Sequence, residues 1–199
     1  MAKQTLLLAT KNIDKIKEIT GILEQINIEL VSALDFENIP QVVEDQNTLQ
    51  GNAIKKARLY SQAAGLPAIA DDTGLEVDAL NGEPGVNSAR YAGENASYSD
   101  NVQKLLAALS AVEETKRTAR FRTVIAFADE NRIETVEGIC EGVITAKPSG
   151  NKGFGYDPVF YVPDYKCTFA EMDSELKNRI SHRGLALEKL KDFIINYFK

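Results

Sequence analysis

Apolar positions along this chain recur with two periods, and the alternation between them divides it into short strands and longer helices. Residues 5–9, TLLLA, form a continuous apolar run of strand length. From 12 to 26 the spacing changes, with Ile13, Ile16, Ile19, Leu23 and Ile26 placed at helical intervals among charges. Residues 28–34 return to a strand pattern. A second helix is expected over about 48–64, with Ala53, Ala57 and Tyr60 on one stripe and Gly65, Leu66 and Pro67 closing it. The strand PAIAD follows. Residues 81–96, dense in Gly, Asn and Pro, read as a long surface loop, and a helix is expected over about 98–113. FRTVIAFAD and RIETVEGICEGVITA are β-rich runs of one hairpin, turning around Asp129–Asn131. After the loop KPSGNKGFGYDPVF comes a short segment and a final helix from about 182 to 197. Strands alternating with helices, without repeats or linker-like stretches, predict a single α/β domain over 1–199 that could be divided into two lobes.

Composition narrows the class. At 199 residues, 44% hydrophobic and 26% charged, the chain can bury a sizeable core. No apolar run approaches the roughly 20 residues of a membrane span. MAKQTLLLAT has too short an apolar stretch for a secretory signal, so the expected location is cytoplasmic, with no membrane partner. Cys140, Cys167 and the single histidine lack metal-ligand spacing, which argues against zinc and for free thiols. The net charge of −6 disfavours a nucleic-acid partner, because a basic face supplies most of such affinity.

Four loops carry the candidate chemistry. In LLLATKNIDK a strand runs into a helix start, where backbone N–H groups and the helix dipole favour an anion. Thr10 and Asn12 could bond phosphate oxygens and Lys15 could add charge, although Asn12 as a plain helix cap explains the same residues. In AIADDTGLEVDAL, Asp71 and Asp72 end an apparent strand. Neighbouring strand residues point to opposite faces, so one carboxylate could be tied into the structure while the other holds magnesium or orients a water. Thr73-Gly74 is expected to make the turn, and an ordinary Asx turn is the alternative. GNKGFGYDPVF combines three glycines with Phe154 and Tyr156, flat faces on which a base could stack, and with Asp157 as acceptor. In LKNRISHRG, Ser181 suits a helix N-cap, which puts His182 and Arg183 in the first turn and Lys177 nearby. Basic residues there oppose the helix dipole, a cost that a ligand rich in acceptor oxygens would offset.

Together the four loops hold phosphate donors, a metal-binding acid, a stacking aromatic and base-edge donors, the inventory for one nucleotide. ATKN, ADDTGLEVDAL, PGVNSARYAGENA, GFGYDPVF and ISHRG, in this order, closely resemble the inosine triphosphate pyrophosphatase family over nearly the whole chain. The resemblance implies an elongated mixed β-sheet flanked by helices, with two lobes and a central cleft. It implies hydrolysis of ITP, dITP and XTP to the monophosphate and pyrophosphate, with magnesium as cofactor and a homodimer as the assembly.

Carried over by position, Thr10, Lys11, Asn12, Ile13, Asp14 and Lys15 would bind the triphosphate. Asp72 would be the catalytic acid and, with Glu44, a metal ligand. Thr73 would touch the substrate. Phe154, Gly155, Tyr156 and Asp157 would cradle base and sugar, and Lys177, His182 and Arg183 would reach the purine. Lys11, Val43 and Asn87 stand where many members carry a small residue, a second acid and an aromatic, respectively. The rival expectations are a pyrophosphatase for another modified or standard nucleotide, or a catalytically idle nucleotide-binding protein.

Overall fold

A computed structural model describes residues 4–199 and shows a mixed α/β fold, one eight-stranded sheet with five helices among the described residues. The strands are β1 (Thr5–Leu8), β2 (Glu29–Ser32), β3 (Ala68–Val77), β4 (Pro84–Gly85), β5 (Thr118–Ala128), β6 (Ile133–Ile144), β7 (Phe160–Val162) and β8 (Cys167–Thr168). Their order across the sheet is β2-β1-β3-β5-β6-β7-β8, with β4 paired to β3. The helices are α1 (Ile13–Leu23), α2 (Leu49–Ala64), α3 (Tyr98–Ala108), α4 (Ser174–Ile180) and α5 (His182–Tyr197).

The chain forms two compact units. The first contains residues up to Asp72, Thr123–Gly138 and His182–Lys199; the second contains Thr73–Arg122 and Ile139–Ser181. The boundaries therefore fall inside β3, β5 and β6.

In the first unit β1 is parallel to both β2 and β3, the arrangement that helical crossovers between strands produce. Leu6 and Leu8 pack with Ile69 of β3, Ile125 and Phe127 of β5, Ile19 and Leu23 of α1, and Ala186, Leu187, Leu190 and Ile194 of α5. Fully burying each of these Leu and Ile side chains contributes about 1.5–3 kcal/mol against the entropy of ordering them. The expected stripe on α1 is present from Ile16 onward, but Ile13 is 58% exposed because the helix begins there, beyond the packed turns. On α2 the stripe is as expected, and Gly65 caps the helix at φ +65°, a conformation that favours glycine.

In the second unit Phe121, Phe160 and Phe169 form an aromatic cluster, joined by Leu75, Val77, Leu105, Tyr156 and Val162. The loop over residues 81–96 is tied down. Asn101 of α3 donates to the Ala89 carbonyl and accepts from the Ala92 N–H, and the Ser88 hydroxyl donates to Gly85 while accepting from Leu75 N–H.

Two expectations are revised. The strand does not end at Asp71-Asp72, and Thr73-Gly74 makes no turn: β3 continues to Val77 and pairs with β4 at Leu75↔Gly85. Gly74 is needed for close approach, since a Cβ there would lie 2.7 Å from the Gly85 carbonyl oxygen. In addition, α3 stops at Ala108 instead of 113, and α4 occupies the segment ahead of the last helix. Ser181 closes α4, its N–H donating to the Lys177 carbonyl.

Candidate active site

Asp71 and Asp72 are 3% and 5% exposed, so both carboxylates are interior groups that need partners. Strand alternation sends them to different helices. Asp71 Oδ2 accepts from Arg183 at the start of α5, through Nε (3.2 Å) and Nη2 (2.8 Å), and lies 3.1 Å from Lys15 Nζ of α1. Arg183 Nη1 donates to Glu18, also on α1. Burial works to raise the Asp71 carboxyl, and the cations Lys15, Arg183 and Lys56 outweigh it, holding the group well below the usual carboxylate range.

Asp72 belongs to a second network on α2. Its Oδ2 accepts from Asn52 Nδ2 (3.1 Å) and its Oδ1 from Lys56 Nζ (3.2 Å). Lys56 also donates to Glu44 Oε1 (2.7 Å) and to the Asp71 carbonyl oxygen (2.6 Å), so all three ammonium protons are placed. Burial and the Glu44 charge push Asp72 above its ordinary value, against Lys56 and Lys15. Burial opposes the charged form of Lys56, but Asp72, Glu44 and Asp71 together keep it raised. Burial lowers Lys15, and Asp71 offsets only part of that. Glu44 lies in irregular chain between β2 and α2. There Lys55 holds the Val43 carbonyl (2.8 Å) and the Asp45 carboxylate (2.7 Å), so neighbouring lysines of α2 fix the segment.

Asn12 is the N-cap of α1, its Oδ1 accepting from Asp14 N–H (2.9 Å) and Lys15 N–H (3.2 Å), while Thr10 Oγ1 accepts from Asn12 N–H (3.1 Å). Lys11 and Ile13 are exposed at this helix start; Thr10, Asp14 and Lys15 are half-buried. The turn is thus pre-formed by its own side chains. Lys15 reaches back from it toward β3.

In the second unit the Gly-rich loop is organised around Asp157. Its Oδ2 accepts from Phe154 N–H (2.8 Å) and from Lys177 Nζ of α4. Gly153 has φ +68°, and a Cβ on it would lie 2.0 Å from that same oxygen, so loop and carboxylate require this glycine. Lys177 Nζ lies 5.1 Å from the Phe154 ring centre, and Tyr98 at the start of α3 lies 5.8 Å from it. Gly155, at φ +62°, is half-buried. Tyr156 is buried and its hydroxyl donates to the Ser88 carbonyl (2.9 Å), tying this loop to residues 81–96.

The structure therefore places Glu44, Asp72, Lys15, His182 and Arg183 in the first unit, and Thr73, Phe154, Gly155, Tyr156, Asp157 and Lys177 in the second. His182 and Arg183 do open α5 as expected, but they are 3% and 1% exposed, and the Arg183 guanidinium bonds two carboxylates. Lys56, Asn52 and Glu18 were not anticipated. A signal existed for the first two: Asn52 and Lys56 are an i, i+4 polar pair on the buried stripe of α2, where apolar residues belong.

Fold and site define an α/β protein whose interior strand β3 carries buried carboxylates matched by ammonium and guanidinium groups. The chain belongs to the Ham1 family, whose profile matches residues 6–193. It is 53% identical over 190 residues to the dITP/XTP pyrophosphatase of Desulforamulus reducens, covering 95% of this chain and 94% of that protein. With the dITP/XTP pyrophosphatase of Geobacter sulfurreducens it shares 48% over 190 residues, 95% and 96% of the two chains. A solved HAM1 protein from Coxiella burnetii superposes with a TM-score of 0.87 at 42% identity, covering 97% of this chain and 99% of that one. The Ham1 protein of Staphylococcus aureus gives 0.86 at 37%, covering 98% and 100%.

Proposed function

We propose that this protein is a nucleoside triphosphate pyrophosphatase that hydrolyses dITP, XTP and ITP to the monophosphate and pyrophosphate. Removal of such nucleotides would cleanse the nucleotide pool. The observation that carries the reading is the Asp72–Lys56–Glu44 network beside Lys15, in a chain this similar to dITP/XTP pyrophosphatases.

Glu44 and Asp72 would hold magnesium. The donor set fits: both offer hard oxygen ligands, and the position between them already accommodates a cation, the Lys56 ammonium. Among the described residues no group of three or more Asp, Glu, His or Cys side chains is placed to hold a metal ion by itself. When bound, such an ion neutralises phosphate charge and acidifies water.

The chain's own groups supply the rest. Asp72, raised by its burial, orients the attacking water and accepts its proton. Water adds at the α-phosphorus, its oxygen stays on the monophosphate, and the bond to the bridging oxygen of pyrophosphate breaks. Lys15 and Lys56 stabilise the charge on the phosphoryl oxygens, and the dipole of α1 favours the chain of phosphates near its N-terminus, where Asn12 already holds the Asp14 and Lys15 N–H groups. Thr73 follows Asp72 on β3 and offers a hydroxyl to the substrate. In the second unit, Phe154 offers a ring face to the purine, while Lys177 and Asp157 offer a donor and an acceptor to base and sugar. His182 would donate to the keto oxygen at the six-position, where adenine's amino group would face a donor.

We propose further that the protein acts as a homodimer on free cytoplasmic nucleotides, without nucleic acid or a membrane. Among the described residues no helix is long and apolar enough to cross a membrane.

The test is pyrophosphate release from ITP, XTP, GTP, ATP and dTTP, each with magnesium and with chelator. Magnesium-dependent release confined largely to ITP and XTP is expected. Release mainly from a standard nucleotide would overturn the substrate assignment, and bound nucleotide without release would overturn the enzyme.

A further inference from the structure

A cavity of about 410 Å³ opens in the first unit, and no residue of the Asp72 network lines it. Its walls are the last turn of α2, the Leu66-Pro67 connection to β3, the hairpin turn at Asp129–Asn131, and Tyr197 at the end of α5. That volume lies within the ~300–1,000 Å³ of small-molecule sites.

Ser61 gives the cavity a polar group in need of a partner. The residue is 6% exposed and lines the cavity, and its hydroxyl has no hydrogen-bond partner among the described residues. A serine inside a helix can satisfy itself on the carbonyl four residues back; Ser61 does not.

The electrostatics of the walls have one sign. α2 and α5 both end here, and neither carries a basic residue in its last turn. The carbonyls of Gln62, Ala63 and Ala64 accept no backbone hydrogen bond among the described residues, which leaves the negative end of the α2 dipole open. Asp129 and Glu130 add two carboxylates. Burial works to raise the Asp129 carboxyl, but the Asn131 N–H, the Tyr197 hydroxyl, the Arg132 N–H and the Arg132 charge hold it below its ordinary value. Arg132 itself lines no part of the cavity; its guanidinium lies over the Phe193 ring, 5.8 Å from the centre. Lys199, beyond the end of α5, donates to Asn196 Oδ1 (3.1 Å). Leu66, Pro67 and the Tyr197 ring supply apolar surface.

We propose that this cavity binds an aliphatic diamine or polyamine. Its ammonium groups are held by Glu130, the carbonyl end of α2 and the Ser61 hydroxyl, and its methylene stem lies on Leu66, Pro67 and Tyr197. Carboxylates, carbonyls and a hydroxyl oxygen all accept from N–H, so an ammonium suits each of them, whereas an anion would meet like charge. A bare divalent ion would leave the apolar walls unused. The site is independent of the nucleotide reading above.

The test is binding of diaminobutane and spermidine to the full chain at low salt, followed by calorimetry and by backbone amide shifts in NMR. Butanediol and magnesium chloride, at matched ionic strength, are the uncharged and metallic controls. The proteins are wild type, Ser61→Ala and Glu130→Gln, each checked for folding by thermal melting. The amides of Ser61, Gly65 and Asn131 should move with the diamine and stay in place with the diol. Ser61→Ala should weaken the diamine about threefold to tenfold, as loss of one hydrogen bond does. Glu130→Gln should weaken it about twofold to fivefold, a difference that shrinks as salt rises.

Diamine that leaves these amides unmoved, or that binds both variants as tightly as wild type, would overturn the site. An equal response to butanediol would overturn charge recognition. Magnesium that moves the same amides and displaces the diamine would make this a metal site instead. None of these outcomes depends on nucleotide hydrolysis, so failure of the enzymatic reading and failure of this one are separately visible.

Discussion

Both units bury charge, but they do so in different company. In the first, Asp71, Asp72 and Glu44 meet Lys15, Lys56 and Arg183 on strands and helices whose remaining side chains are mostly aliphatic. In the second, the buried pair Asp157 and Lys177 is set among rings: Phe154 and Phe169 lie beside the ammonium, and Tyr98 beside Phe154. Several acids and bases in a poorly solvated place favour small polyvalent ions. One pair with flat apolar faces favours a ring that stacks and makes a few directional bonds. On the reading proposed above, the contrast points to phosphate contacts in the first unit, which also carries His182, and to the stacking face for the base in the second.

The largest effect should come from the first unit. Asp72→Asn keeps the size of the side chain but turns an amide NH2 toward one of its two donors, Asn52 or Lys56, and on the proposed reading it removes the proton acceptor and a metal ligand. Turnover of ITP should fall by about 10²–10⁴-fold in pyrophosphate-release assays while circular dichroism shows the fold retained. Near-normal turnover would remove Asp72 from the chemistry.

Lys56→Met comes next. It leaves the buried Asp72 and the half-buried Glu44 without their shared ammonium, and urea unfolding should show a loss of about 3 kcal/mol. Millimolar magnesium should restore more stability to this variant than it adds to wild type, since two carboxylates are then open to a divalent ion. Equal responses of the two proteins to magnesium would count against Glu44 and Asp72 as its ligands.

The smallest effect concerns the thiols of the second unit. Burial pushes Cys140 up to about 11, with the Glu141 charge adding to it, so at pH 8 only about one in a thousand molecules carries the reactive thiolate. Cys167 is half-buried. Iodoacetamide should label Cys167 first at pH 8, and Cys140 should follow only as the pH rises toward its titration. Mass spectrometry showing the reverse order would mean that this core opens readily.

How far the sequence alone revealed these two regions depends on how local each signal was. The stripes of α2 and α5 follow from side-chain period, and so did the turn before α1, where Asn12 acts on amides two and three residues away. The middle of β3 was misjudged because two adjacent carboxylates look like a solvated turn. What keeps them inside a strand is supplied by Lys15, Lys56 and Arg183, brought from as far as 112 positions away. Lys56 and Glu18 escaped notice for the same reason: on their own helices they are ordinary charged residues, and only tertiary packing gives them buried partners. Arg183 opens α5 where its place in the chain put it, and its carboxylate partners on α1 and β3 left no mark in the local sequence. The two-residue strands β4 and β8 carry too few positions for any period to show.

The division of labour is tested most directly by one calorimetric comparison: wild type and Phe154→Ala, each titrated with ITP and with inorganic tripolyphosphate under non-hydrolysing conditions. Loss of the stacking face should weaken ITP about tenfold, within the ~1–3 kcal/mol of a base–aromatic stack, and leave tripolyphosphate binding as it was. Equal weakening of both ligands, or no change in either, would contradict the assignment of base contact to the second unit.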